Sequence, residues 1–152
     1  MDEIDRRLLD TLRGSGRETY AELARRVGLS APAVHDRVGK LEAAGIITGY
    51  HAAVDTTAIG LGVTALIGVL QAESSEQDDI AAALHRLPEV ESCWFVAGEE
   101  SFLLLVRVPD VAALEHTIGR LNRIHGVART RTTVVLSTKW EGRARPLDDE
   151  GR

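Results

Sequence analysis

A capped pair of short helices joined by a glycine turn, then a glycine-containing gap, then a β-α-β-β-α-β succession of apolar runs: together these predict an α+β chain. The first part reads as an N-terminal winged helix-turn-helix, and the second as a ferredoxin-like β-α-β-β-α-β domain whose antiparallel sheet carries both helices on one face. A chain of 152 residues, 44% of them apolar, can bury two small cores. The expected division is 1–55 for the head, 56–62 for a hinge, 63–140 for the second domain and 141–152 for a mobile tail.

The head begins with Ile4, Leu8 and Leu12, a helical stripe ending at Gly14, with Asp2, Glu3 and Asp5 where a helix N-terminus favours negative charge. Gly14-Ser15-Gly16-Arg17 follows a helix rather than a strand and lacks a Lys-Ser/Thr ending, so it reads as a connector and not a phosphate cradle. Thr19 with Glu22 forms a capping box for a second helix bearing Leu23, Ala24 and Val27, and Gly28 ends it. Ser30 caps a third helix in which Val34, Val38 and Leu41 face inward, and Gly45 closes it. Ile46 to Asp55 then reads as a short β hairpin, the wing.

Two helices so capped and so joined have the geometry that lays the second in the major groove of double-stranded DNA. The overall charge of −5 counts against a protein held on DNA by charge alone, yet Arg25, Arg26, Arg37 and Lys40 face only Asp36 between positions 25 and 40. Candidate contacts are Ser30, Ala31, Pro32, Ala33, His35, Asp36, Arg37 and Lys40. Lys40 is the best phosphate contact, and His35 can reach base or phosphate. Arg37 lies nearer the packed side, where an ion pair with a head carboxylate competes with a base contact. Asp36 either lowers affinity or accepts from cytosine N4.

In the second domain Val63 to Leu70 is a strand, Ile80 to Leu87 a helix closed by Pro88, and Val90 to Ala97 and Ser101 to Val108 two further strands. Asp110 caps a helix that Gly126 ends, and Val127 to Lys139 alternates as the last strand. The first and third strands are apolar on both faces. Two helices cover one, so a second copy is expected on the other, and a homodimer through this domain pairs two heads on a pseudo-palindromic site.

No apolar run reaches the length of a membrane span and the acidic start is unlike a signal peptide, which predicts a cytoplasmic protein with no membrane partner. Cys93 is the only cysteine, so no internal disulfide can form. The five histidines are scattered, and neither a metal site, a cofactor nor an enzymatic constellation is expected.

Leu23-Ala24-Arg25-Arg26-Val27-Gly28-Leu29-Ser30, Arg37-Val38 with Leu41-Glu42, Gly45-Ile46-Ile47-Thr48-Gly49-Tyr50, and Gly126-Val127 leading to Thr130 and Thr132 resemble the leucine-responsive regulatory protein/AsnC family of transcription regulators. The resemblance runs from Ile4 to about Lys139 and implies a homodimer building into tetramers or octamers, with a small-molecule effector site, usually for an amino acid. In that family a Gly is commonly followed three residues later by Asp; here Gly98 is followed by Ser101. Glu99 or Glu100 then takes the ammonium, or the ligand differs, or none binds, while Thr130, Thr132 and Thr133 offer hydroxyls. Sirohaem decarboxylases share the two-domain plan and supply an enzymatic alternative; an effector-independent architectural DNA-binding protein is another.

Overall fold

A computed structural model describes residues 1–73, 75–144 and 146–147. Their contacts divide into two units: residues 1–53 together with the segment from Trp140 onward, and Val54–Lys139. The division falls two residues before the expected end of the head, and the described residues of the segment expected as a tail, 141–144 and 146–147, group with the head.

The head is three helices, α1 (Glu3–Gly14), α2 (Tyr20–Val27) and α3 (Ala31–Ala43). Asp2 and Asp5 cap α1 reciprocally, each carboxylate accepting the other's backbone N–H at 2.9 and 3.0 Å. The acidic start is therefore a capping box as well as a complement to the helix dipole. Thr19 and Glu22 do the same for α2. Gly28 takes the left-handed backbone (φ +72°) that lets the chain reverse into Ser30, whose hydroxyl accepts the Ala33 N–H. Leu8, Leu23, Ala24, Val34 and Val38 form the core, so the stripes expected on α2 and α3 are those buried.

Residues 46–55 depart from expectation. All are described, and none pairs as a strand. The carbonyls ending α3 take up the next amides instead: Gly45 N–H donates to Glu42 and Ile46 N–H to Leu41, a Schellman closure, and Ile47 N–H also turns back to Leu41. Tyr50 then folds over α3, its hydroxyl donating to Glu42 Oε1 at 2.8 Å. The expected hinge is a hydrogen-bonded turn, with the Asp55 carboxylate accepting from Thr57 and Ala58.

The second unit comprises β1 (Val63–Gln71), α4 (Gln77–His85), β2 (Val90–Phe95), β3 (Phe102–Val108), α5 (Val111–Asn122) and β4 (Val127–Val134). The order β2-β3-β1-β4, antiparallel throughout, is the expected ferredoxin-like arrangement. Ala65, Ile67 and Val69 of β1 and Phe102, Leu104, Val106 and Val108 of β3 pack against Ile80, Leu84, Leu114 and Leu121. The last strand ends at Val134 rather than Lys139, because its partner β1 has only Val63 and Thr64 left beyond Ala65↔Val134.

Register fixes the opposite face. Ser92, Leu105, Leu66 and Thr133 form one row across it, and Trp94, Leu103, Gly68 and Arg131 the next. The apolar stripe is therefore confined to the two central strands and Trp94, with Thr133 and the arginines of β4 on its flank. Among the described residues no helix is long and apolar enough to cross a membrane.

Candidate nucleic-acid interface and ligand site

Helix α3 has one face locked in the head and one face open. Val34 and Val38 are buried, while Pro32, His35, Asp36 and Lys40 are exposed and Ala31, Ala33 and Gly39 half-buried. Ser30 is exposed where α3 begins, so its hydroxyl caps the helix from a position open to a phosphate. Lys40 Nζ lies 2.7 Å from Asp36 Oδ2 one turn back, and this partner holds the Asp36 carboxyl below its usual range. An exposed intrahelical pair of this kind is weak, so the ammonium can be redirected to a phosphate at little cost. His35 meets Tyr20 of α2 edge-on, ring centroids 4.9 Å apart.

Arg37 resolves to the internal alternative. Its Nη1 donates to Asp2 Oδ2 at 2.7 Å and Asp5 Oδ1 at 2.8 Å. The carboxylates that cap α1 thus also clamp α3 through Arg37. The Asp5 backbone N–H and then Arg37 hold the Asp2 carboxyl below its ordinary value.

On the second unit the turn after β2 carries Gly98, Glu99, Glu100 and Ser101. Ser101 is half-buried, with its N–H donated to the Val69 carbonyl at 2.9 Å and its hydroxyl oxygen accepting the Gln71 N–H at 3.4 Å. Ser101 therefore pins the turn to the end of β1. Glu99 and Glu100 both reach Arg131 of β4, at 2.7 and 3.0 Å, and Glu99 lies 3.6 Å from Arg129. Arg131 holds the Glu99 carboxyl below its usual range. Glu100 crosses Gly68, where a Cβ would come within 2.5 Å of its Cγ; only glycine leaves room for the carboxylate there.

The three threonines do not form one set. Strand alternation turns Thr130 and Thr132 toward the helices, opposite Val69 and Ile67, and Thr133 to the open face, opposite Leu66. Thr130 Oγ1 is committed to Asn122 Oδ1 at 3.0 Å. Sequence reading missed Arg129 and Arg131. Their period-two spacing opposite the threonines signals a shared face, but only the register shows that the face ends at the Glu99-Glu100 turn. Among the described residues no three His, Cys, Asp or Glu lie together as a metal site.

Residues 63–145 match the family described as the Lrp/AsnC ligand binding domain, and residues 1–48 the family described as winged helix-turn-helix DNA-binding. The chain is 43% identical over 143 residues to the HTH-type transcriptional regulator LrpA of Mycobacterium tuberculosis, covering 94% of this chain and 95% of that protein. A solved structure of a feast or famine regulatory protein from M. tuberculosis complexed with L-methionine is similar at TM-score 0.90 and 43% identity, covering 95% of this chain and 98% of that one. An L-methionine complex of a transcriptional regulator from Neisseria meningitidis is similar at TM-score 0.91 and 33% identity, covering 97% of each chain.

Proposed function

The chain belongs to the Lrp/AsnC family of transcription regulators, and on that premise we propose that α3 reads double-stranded DNA while the Glu99–Arg131 cluster receives an amino-acid effector. The carrying observation is the division of labour on α3. One side is fixed by core packing and by the Arg37 clamp, and the other presents Ser30, Pro32, His35 and Lys40 outside the core. A helix held that firmly can place side chains against base edges and phosphates at low entropic cost.

The effector reading rests on charge. A zwitterionic amino acid needs an acceptor for its ammonium and donors for its carboxylate. Glu99 and Glu100 offer the first, Arg129 and Arg131 the second, and they already stand within ion-pair distance of one another. The ligand inserts by exchanging an existing pair for two new ones. The L-methionine complexes of the two similar regulators support an amino acid as the class. Ligand binding shifts assembly or DNA affinity only as far as it prefers one arrangement.

Thermal melts with each of the twenty amino acids test the proposal. At least one should raise the midpoint, and the variant carrying Glu99→Gln and Glu100→Gln should lose that rise. A rise that survives both changes removes these carboxylates from the site. Indifference to all twenty amino acids removes the effector class.

A further inference from the structure

The segment following the second domain comes back to the head. Leu147 donates its backbone N–H to both carboxylate oxygens of Asp10 on α1, at 2.9 and 3.1 Å. Leu147 is half-buried and, with Leu9 and Leu12 of α1 and Ile46, Ile47 and Tyr50 beyond α3, lines a cavity of about 450 Å³. This is the stretch expected to be a hairpin wing. Having no strand partner there, Ile46 and Tyr50 are left substantially exposed, and the leucine lines the same apolar space beside them. Residues 140–144 are exposed, and Leu147 is half-buried.

We propose that the described residues 140–144 and 146–147 belong to an intramolecular strap, with Leu147 as its apolar anchor and Asp10 as the acceptor that fixes its position. The head is thereby held by its chain at two places, at Ala53 and again through the strap. Helix α1 becomes a shared anchor: Asp2 and Asp5 in its first turn clamp Arg37 of α3, and two turns on Asp10 clamps the strap. A charge-assisted bond to a backbone N–H sets direction, and the leucine supplies the apolar contact. Because Leu147 belongs to the same chain, its effective concentration at the groove lies around the millimolar range, and a leucine from another molecule competes only near that concentration. The strap is a device for tightening or releasing the reading head without touching its DNA-facing side.

Hydrogen exchange on the full chain tests this. Leu147→Asp should speed exchange of the amides of 9–13 and 46–50 by roughly fivefold or more, as expected for freeing one half-buried leucine and one charged hydrogen bond. Exchange in β1 and β3 should not change. Leu147→Met, which keeps volume and apolarity, should retain the protection of the parent chain. Unchanged exchange around 46–50 in Leu147→Asp overturns the strap, and so does equal loss of protection in Leu147→Asp and Leu147→Met.

Discussion

Lys40 and Arg37, three residues apart on α3, carry the same charge in different surroundings. Arg37 is paired with Asp2 and Asp5, whereas Lys40 is paired with the exposed Asp36 among the described residues. Lys40→Ala should weaken binding about equally on all DNA sequences and reduce the slope of log affinity against log salt by roughly 0.9. Retardation assays at several salt concentrations measure it, and an unchanged slope removes Lys40 from the phosphate contacts. The clamp makes a pH prediction. Asp2 and Glu22 have folded-state carboxyls held below their usual values, Asp2 by the Asp5 N–H and Arg37, and Glu22 by the Thr19 N–H and hydroxyl. Groups so depressed stabilise the fold above their unfolded values and lose that contribution as pH falls through the lowered ones. The head should therefore lose thermal stability from about pH 4.5 downward, given ordinary carboxyl values near 4. Arg37→Ala should make the fall between pH 7 and pH 3 shallower, and equal falls in parent and variant would separate Arg37 from the effect. Arg37 had two readings in the sequence because helical spacing gives its angle on α3 but not what lies across from it.

At the scale of elements, legibility followed local chemistry. The helix boundaries at Thr19, Gly28 and Ser30 and the β-α-β-β-α-β order were readable because caps, left-handed glycines and apolar periodicity act within a few residues. The wing was not. Ile46 to Asp55 has strand-like composition, but a strand requires a partner, and the Schellman closure after α3 uses the amides of Gly45 and Ile46 on carbonyls of the helix. The placement of the effector candidates was hidden for a related reason: alternation puts Thr133 on the opposite face from Thr130 and Thr132, and only the pairing register brings Arg131 to Glu99. Gly126 shows how an element junction can be tested. It joins α5 to β4 at φ +91°, and a Cβ there would stand 2.8 Å from Ser75 Cβ and 3.1 Å from Ile80 Cδ1. Strained backbone and crowding act together, so Gly126→Ala should destabilise the second domain by about 1–3 kcal/mol. Chemical denaturation read at Trp94 of β2 measures it, and a loss well under 1 kcal/mol would mean that α4 yields without cost.

At the scale of the whole molecule, tight specific binding calls for more than one head on the DNA, and the open sheet face is the surface on which pairing is tested. The outward side of α3 has one lysine, one histidine and an opposing Asp36, too few groups for tight specific binding by one copy. Two heads on one DNA site multiply their weak affinities, provided that something joins them. Leu66 (36% exposed), Leu103, Leu105 and Trp94 (48% exposed) form an apolar patch at the centre of the face, with Arg131 and its glutamates at one end and Arg107 paired to Glu91 at the other. An apolar centre with a charged rim suits a twofold interface, in which the same patch meets itself. Leu66→Asp probes it with little penalty to a single copy, because the side chain is already partly in water. In a dimer the carboxylate would be buried opposite its own symmetry mate, which is strongly unfavourable. Light scattering at micromolar concentration should give at least a dimer for the parent chain and a monomer for Leu66→Asp. The variant should also bind a two-half-site DNA no better than a single half-site. A parent chain that is itself monomeric would sink assembly through the sheet, and a Leu66→Asp variant of undiminished mass would move the interface to another surface.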